Sequence, residues 1–199
     1  MTRTSALLII DVQNDFCPGG GLPVPEGNLV VAILNRYITL FRERRLPIIA
    51  SRDWHPANTS HFRNYGGIWP VHCVQGSEGA RVHRDLALPG DAILISKGQD
   101  PSQDSYSAFQ ATTESGVPFP QLVKELGIGK LYVGGLATDY CVKESVLDGL
   151  RLGLSVTLLE DAVRGVDLIP GDSEKAIDEM TKTGAARMNL SQLQADPPS

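Results

Sequence analysis

Residues 6–10 read Ala-Leu-Leu-Ile-Ile, an unbroken apolar run that ends at Asp11. A strand with both faces buried has this solid apolar pattern, whereas a half-exposed strand alternates apolar and polar residues. Comparable short runs predict further strands at 47–51, 91–96, 130–134, 154–159 and 186–188. Strands of this kind are typical of a parallel sheet covered by helices on both faces.

Helical periodicity separates these apolar runs. In residues 28–45, Val31, Leu34, Ile38 and Phe41 fall on one side of a helix. Shorter patterns predict helices at 120–126, 138–152 and 172–183. The alternation predicts one doubly wound α/β domain over 1–193, with a mostly parallel sheet and helices on both faces. Residues 194–199 are predicted to be a disordered tail.

Length, charge and cysteine content narrow the class of protein. A chain of 199 residues can bury a sizeable core in one domain. Its net charge of -5 and lack of a long basic run argue against partners such as nucleic acid or an anionic membrane. Neither a transmembrane helix nor a signal peptide is expected from the apolar pattern. Three cysteines favour a reducing compartment, so we expect the cytoplasm. The sequence does not decide between a monomer and a homo-oligomer.

Chemically reactive side chains stand at the carboxyl ends of four predicted strands. Asp11 follows the first strand, Asp53 and His55 follow the second, Lys97 follows the third, and segment 134–141 leads from the fourth into a helix. In open parallel sheets, ligands bind outside the carboxyl ends of the strands. We therefore predict that these residues share one site.

Cys141 is the candidate nucleophile, because it falls in the first turn of the predicted helix 138–152. Unpaired N–H groups and the positive end of the helix dipole would lower its thiol pKa from about 8.5. Asp11 can accept the thiol proton, and Lys97 can stabilise the charged sulfur. Each residue also has a structural interpretation: a buried cysteine, a turn-forming aspartate and a lysine that reaches for water.

The long segment 53–89 has little periodicity and contains a candidate metal site. Asp53 and His55 are two residues apart, so on an extended strand both side chains face the same way. His61 and His72 follow in the same segment. A carboxylate with two or three imidazoles suits zinc, manganese or iron. The alternative is a turn after Asp53 that binds no metal.

Five motifs occur in order along nearly the whole chain. They are residues 8–16 (Leu-Ile-Ile-Asp-Val-Gln-Asn-Asp-Phe), 51–56 (Ser-Arg-Asp-Trp-His-Pro), 69–73 (Trp-Pro-Val-His-Cys), 97–98 with 104–109 (Lys-Gly and Asp-Ser-Tyr-Ser-Ala-Phe) and 134–142 (Gly-Gly-Leu-Ala-Thr-Asp-Tyr-Cys-Val). In these motifs the chain resembles the nicotinamidases, a family of the isochorismatase-like hydrolases.

The resemblance implies a role for many of these positions. The implied catalytic triad is Asp11, Lys97 and Cys141, and the implied metal ligands are Asp53, His55 and His72. The implied substrate contacts are Phe16, Trp69, Tyr106 and Leu136. The N–H groups of Ala137 and Cys141 would stabilise an oxyanion, with a cis peptide bond between Leu136 and Ala137.

The activity that the resemblance implies is hydrolysis of nicotinamide to nicotinate and ammonia through a thioester on Cys141, a step of NAD salvage. One divalent metal ion would anchor the pyridine nitrogen; zinc is expected first, with iron and manganese open. Pyrazinamide would also be accepted. The chain departs from many family members at Asn58, which no histidine follows, so His61 is a further candidate ligand.

Other functions compete with this one. Another isochorismatase-like amidohydrolase, such as an N-carbamoyl amidase, stays open, whereas isochorismatases need no cysteine nucleophile. A small-ligand or metal-binding module without turnover is disfavoured by the complete set of Asp11, Lys97 and Cys141. A dinucleotide-binding oxidoreductase is disfavoured because no glycine-rich loop follows the first strand.

Overall fold

The computed structural model describes residues 4–196 and residue 198, in which seven strands form one sheet. The strands are β1 (Thr4–Ile10), β2 (Ile48–Asp53), β3 (Ile93–Lys97), β4 (Thr112–Thr113), β5 (Ile128–Leu136), β6 (Ser155–Arg164) and β7 (Ala186–Met188). Their order is β4-β3-β2-β1-β5-β6-β7. Every neighbouring pair is parallel except β3 and β4, which confirms the predicted mostly parallel sheet.

Helices cover both faces of this sheet. They are α1 (Leu29–Glu43), α2 (Phe119–Glu125), α3 (Lys143–Arg151), α4 (Asp172–Thr183) and α5 (Leu190–Ala195). Successive side chains of β1 point to opposite faces, as in any strand. Leu7 and Ile9 belong to a core cluster with α1 and α5, whereas Leu8 and Ile10 belong to a cluster with α2, α3 and α4. The doubly wound α/β fold is therefore confirmed.

Strand β1 is where the chain changes direction across the sheet. It pairs with β2 on one side and with β5 on the other. The chain continues from β1 through α1 to β2, and it returns to β5 only after β3, β4 and α2. Such a reversal opens a crevice at the carboxyl ends of the two central strands, and ligands bind in that crevice.

One predicted helix begins differently in the structure. The helix predicted at 138–152 starts with a π-helical turn, Thr138–Val142, and becomes α-helical only in α3. A π-helical turn is wider than an α-helical one and is frequent at functional sites. This turn contains Cys141, so the nucleophile predicted for an α-helical first turn lies in a π-helical turn instead.

Helix α5 was not predicted from the sequence. Asn189 and Gln192 cap its first turn through reciprocal bonds between side chain and backbone, and Leu193 is buried. The helix continues to Ala195, so it extends two residues into the predicted disordered tail 194–199. Residues 197 and 199 of that tail lie outside the described residues.

The segment between β2 and β3 is irregular, as its weak periodicity predicted. Its one helical element is a short 3₁₀ turn, Arg63–Tyr65, and all of its residues are among those described. Along the described chain, every helix is too short or too polar to cross a bilayer.

Candidate active site

Strand ends bring three charged side chains together at the carboxyl edge of the sheet. Asp53 ends β2 and is in register with Lys97, the last residue of β3. Asp11 follows β1, and its N–H donates to the Ser51 carbonyl at 3.3 Å. Its φ of 47° lies in the left-handed region, which aspartate adopts more readily than most residues. Asp11, Asp53 and Lys97 are all buried.

The Lys97 ammonium lies at the centre of this group. Its Nζ is 2.9 Å from Asp11 Oδ2 and 3.4 Å from Cys141 Sγ. It also donates hydrogen bonds to the Asp53 carboxylate and, at 3.2 Å, to the Ser105 carbonyl. A buried ammonium needs such partners, because desolvation of an unpaired charge costs several kcal/mol. The fold thus brings together the three residues of the predicted triad.

The two carboxylates beside Lys97 differ in their pKa. Burial raises the pKa of Asp11 by more than the charge of Lys97 lowers it. Burial also acts to raise the pKa of Asp53, but Lys97 and His55 outweigh it and lower that pKa. When environments push two neighbouring carboxylates apart in this way, the one with the higher pKa is the proton carrier. Asp11 is therefore the candidate base, and Asp53 stays ionised.

One oxygen of Asp11 is free to take a proton. The Ser51 hydroxyl donates to Asp11 Oδ1 at 2.6 Å. Asp11 Oδ2 accepts no hydrogen bond from the described residues, although it lies 2.9 Å from the Lys97 nitrogen. A carboxylate oxygen of Asp11 lies within 4.8 Å of the Cys141 sulfur. This geometry suits proton transfer between the thiol and the carboxylate.

The Cys141 thiol is buried, and its pKa differs from the sequence-based prediction. Burial raises this pKa well above its ordinary value, the charge of Lys97 opposes the rise, and Asp11 and Asp53 add to it. The predicted lowering of the thiol pKa is therefore wrong for the protein without metal. Burial of the sulfur, with a smaller contribution from Asp11 and Asp53, explains the difference. A protonated thiol needs a base at the moment of attack.

Two backbone N–H groups near Cys141 are available to bind an anion. The peptide bond between Leu136 and Ala137 is cis, as the resemblance implied. The Ala137 N–H, which precedes the π-helical turn, donates to no backbone acceptor in the described residues, and the Cys141 N–H lies within that turn beside the sulfur. Unpaired N–H groups beside a nucleophile are the donors from which oxyanion holes are built.

Three buried imidazoles form a second cluster beside the first. The rings of His55, His61 and His72 each offer a nitrogen, and the three nitrogens lie within 4.8 Å of one another. The His55 and His61 rings are stacked, with centroids 4.7 Å apart. His61, whose role the sequence left open, is thus placed with the two predicted ligands. The sulfur of Cys73 is buried in the core outside this cluster.

Nδ1 of each of the three imidazoles contacts an acceptor. Nε2 of each ring therefore points away from that acceptor. Nδ1 of His55 lies 3.1 Å from the Gly98 carbonyl, and Nδ1 of His72 lies 2.8 Å from the Pro70 carbonyl. A carbonyl can only accept, so both rings are protonated on Nδ1 and carry a lone pair on Nε2. Burial lowers the pKa of His72 to about 4, which keeps its ring neutral. Neutral imidazoles of fixed tautomer are ready metal ligands.

The donor set fits one metal ion. Nε2 of His55 is buried and has no hydrogen-bond partner in the described residues. An oxygen of the ionised Asp53 lies 3.6 Å from this nitrogen, beyond hydrogen-bond range. A buried polar atom without a partner is costly, and a cation between the three rings and Asp53 would satisfy it. One oxygen of Asp53 thus contacts the Lys97 ammonium, and the other oxygen faces the imidazoles.

Two supporting residues were missed by sequence reasoning. The Gln13 amide donates to the Asp53 and Ala80 carbonyls at 2.8 and 2.9 Å, and it accepts the Asp53 N–H at 2.7 Å. Gly98 has a φ of +70°, and a Cβ there would come within 2.5 Å of the His55 ring. Both positions lie inside the motifs of the resemblance, but only the three-dimensional contacts show what each one holds in place.

A pocket adjoins Cys141, and aromatic rings form much of its wall. Phe16, Trp69 and Tyr106 line it, as predicted, and Tyr140 lines it as well. The Trp69 indole donates to the Tyr106 hydroxyl at 2.9 Å, which fixes both rings. Asp53, His61, His72 and Ser105 supply polar lining. The pocket therefore joins the thiol to the imidazole cluster.

Leu136 is not part of this pocket wall. Its side chain is fully buried in the core cluster that contains α1, and Leu136 is not among the residues that line the pocket, so the predicted substrate contact by Leu136 stays a prediction. Leu136 is the last residue of β5, and its side chain points into the sheet's helical layer rather than out of the strand end. Its neighbour Ala137 lines the pocket.

Comparison with known proteins gives one consistent result. The isochorismatase domain model matches residues 5–192. The nicotinamidase of Escherichia coli (strain K12) is 43% identical, with 93% of this chain and 94% of that protein covered. The crystal structure of the Pyrococcus horikoshii pyrazinamidase in complex with zinc superposes with a TM-score of 0.86 at 42% identity, covering 94% of this chain and 99% of that one. The L. infantum PnC1 structure in complex with nicotinate gives 0.85 at 35% identity, covering 96% and 95%.

Proposed function

This chain belongs to the isochorismatase domain family, and on that premise we propose that it hydrolyses nicotinamide to nicotinate and ammonia. The observation that carries the proposal is a buried thiol, base and ammonium beside three imidazoles in one aromatic-walled pocket. Pyrazinamide, a ring of the same size with a carboxamide and a matching nitrogen, is proposed as a second substrate. The reaction would serve NAD salvage, and three unpaired cysteines favour the cytoplasm as its place.

A divalent metal ion, zinc first among the candidates, would be held by Asp53, His55, His72 and His61. The support is the cluster of the three imidazoles, the Asp53 oxygen 3.6 Å from Nε2 of His55, and the absence of a hydrogen-bond partner for that nitrogen in the described residues. When bound, the ion would supply a Lewis-acid anchor for the ring nitrogen of the substrate. The chain's own residues then place the carboxamide: Phe16 and Trp69 flank the ring, and the pocket leads to Cys141.

Acylation begins with proton transfer from the Cys141 thiol to the free oxygen of Asp11. The sulfur attacks the carboxamide carbon, and Lys97, 3.4 Å from that sulfur, stabilises the negative charge as it forms. The N–H groups of Ala137 and Cys141 donate to the oxyanion. A single donor of this kind contributes roughly 2.7–4 kcal/mol to a transition state. Asp11 then gives its proton to the departing ammonia, and a thioester remains.

Deacylation uses the same groups in the reverse sense. A water molecule takes the place of ammonia, and Asp11, now ionised again, accepts its proton as the oxygen attacks the thioester carbon. The same two N–H groups hold the second oxyanion. Its collapse releases nicotinate, and the proton returns from Asp11 to the sulfur. Lys97 stays protonated throughout, because Asp11 and Asp53 outweigh burial and raise its pKa well above the ordinary value.

The test is stoichiometric release of ammonia and nicotinate from nicotinamide by the purified protein. Cys141→Ala is the matched control, because it removes the sulfur and little volume. Activity in the wild type that is lost in this variant and on chelation supports the proposal. Turnover of an N-carbamoyl amine but not of nicotinamide would assign the chain to another amidohydrolase of the family.

A further inference from the structure

His61 differs from the other two imidazoles in the partner of its Nδ1. Nδ1 of His61 lies 2.5 Å from Oδ1 of Asp104. In His55 and His72, by contrast, Nδ1 lies against a backbone carbonyl. An ionised carboxylate can only accept, so Nδ1 of His61 carries the proton and donates it to Asp104. The lone pair on Nε2 then faces the cluster.

The Asp104 carboxylate is a stronger acceptor than a carbonyl. A hydrogen bond to an ionised group is shorter and roughly twice as strong as a neutral one. It fixes the ring orientation and the tautomer, and it makes the far nitrogen a better electron donor to a cation. The side chain of Asp104 is 58% exposed, whereas that of His61 is 4% exposed, so the carboxylate lies at the surface and the ring inside.

The backbone around His61 is also held by the loop that contains Asp104. The Ser60 N–H donates to the Pro101 carbonyl at 2.8 Å, and the Thr59 hydroxyl donates to the same carbonyl at 3.4 Å. The His61 N–H in turn donates to the Thr59 hydroxyl at 3.3 Å. His61 and Asp104 are 43 residues apart in sequence and lie on two irregular loops. Contacts between these two loops therefore hold the His61 ring in place.

We propose that Asp104 is a positioning residue that holds His61 as a metal ligand and raises the affinity of the site for its ion. The inference rests on the metal site of the proposed function and extends it to a residue outside the ligand set. Asp104 acts through His61 alone, so its contribution disappears when the imidazole is removed. A general electrostatic attraction between Asp104 and the cation predicts a contribution that persists without His61.

The experiment measures the zinc dissociation constant by competition with a chromophoric chelator. Asp104→Ala removes the acceptor, and Asp104→Asn keeps a neutral one. Asp100→Ala is the matched control, because Asp100 is an exposed carboxylate in the same loop that bonds only to Ser102. His61→Ala and the double variant with Asp104→Ala complete the cycle. Thermal midpoints in a chelator, within a few degrees of wild type, establish that each variant folds.

We expect Asp104→Ala to weaken zinc binding 10- to 100-fold, the usual cost of losing such a partner, with Asp104→Asn in between. Asp100→Ala should stay within about twofold of wild type, and Asp104→Ala should add less than about twofold to His61→Ala. A change below about twofold for Asp104→Ala, or an equal loss with and without His61, overturns the inference. Absence of zinc binding by the wild type overturns it together with the metal site. Failure to hydrolyse nicotinamide, measured separately as ammonia, overturns only the proposed function.

Discussion

The Lys97 ammonium lies 2.9 Å from a carboxylate oxygen of Asp11, and neither side chain has any exposed surface. Lys97→Met leaves Asp11 and Asp53 buried without their cation. Losing one partner of a buried ion pair costs about 3–5 kcal/mol, and we expect that loss at neutral pH in urea denaturation. Without Lys97 both carboxylates prefer to be protonated in the fold, so part of the stability should return as the pH falls.

The control for this change is Lys143→Met. The Lys143 ammonium lies 3.4 Å from Glu144 in a partly exposed ion pair. Such a pair is worth at most about 1 kcal/mol. Equal losses of unfolding free energy for the two variants would contradict the buried-pair interpretation.

Asp11→Asn should reduce kcat by a factor on the order of 10²–10⁴, because an amide cannot accept the Cys141 proton. The side chain keeps its shape and can still accept from the Ser51 hydroxyl. Zinc content should be unchanged, since the imidazoles do not contact Asp11. Steady-state rates and elemental analysis on one preparation test this. Rates within a few-fold of wild type would show that another group is the base.

The Cys141 thiol should be protonated in the metal-free protein. Burial and two carboxylates raise its pKa well above the ordinary value, so no thiolate absorbance should develop between about pH 6 and about pH 9. The measurement is the ultraviolet difference spectrum between wild type and Cys141→Ala across that range. An absorbance step near neutrality would restore the preformed thiolate that the sequence predicted.

An electrophilic analogue of nicotinamide should label Cys141 and spare the other two cysteines. Cys17 and Cys73 are buried in the core away from the pocket, and burial raises the pKa of Cys17 to about 11. Peptide mapping by mass spectrometry identifies the modified residue. Comparable labelling of Cys17 or Cys73 would mean that the analogue reacts without using the pocket.

Nicotinamide should be preferred over benzamide by about 10²-fold or more in kcat/KM. The two share shape and carboxamide, and both rings would lie against Phe16 and Trp69 in the proposed binding mode, but benzamide has no ring nitrogen. A site built to bind a polar atom rejects an analogue that lacks it, by up to about 10⁴-fold. Water can refill a metal position, so a smaller ratio is expected here. Similar values for the two amides would leave the metal without a role in specificity.

Metal should be retained at about one equivalent and should depend on the imidazole cluster. His55→Ala should weaken zinc binding by more than about 100-fold, because a direct ligand contributes more than its outer partner does. His83→Ala is the control, since its ring accepts from the Asp85 N–H outside the cluster. Active enzyme in which elemental analysis finds no metal would falsify the anchoring role.

Much of the fold could be predicted because the central strands carry their own signal. The run 6–10 is buried on both faces, and such runs are apolar whatever surrounds them. The two-residue strand β4 and the capped helix α5 are too short for any periodicity to appear. Their formation depends on neighbours far along the chain, such as β3 for β4.

The residues of the site also differ in whether the sequence alone could predict their contacts. Strand ends converge by topology, so Asp11, Asp53 and Lys97 could be grouped from the sequence. The contact between His61 and Asp104 could not, because it joins two loops without regular structure. The direction of the thiol pKa was predicted wrongly for a related reason: the helix end was visible in the sequence, but the full burial of the sulfur depends on the tertiary packing around it.

The histidines lie on the irregular segment between β2 and β3, while Lys97 is the last residue of β3 and Asp11 directly follows β1. Regions without regular structure open locally at a free energy below that of global unfolding. We therefore expect warming or mild denaturant to release the proposed ion while the strands remain paired. The sheet stays folded after inactivation of that kind. The irregular segment can then refold against it, and activity should recover when the temperature falls and metal is restored.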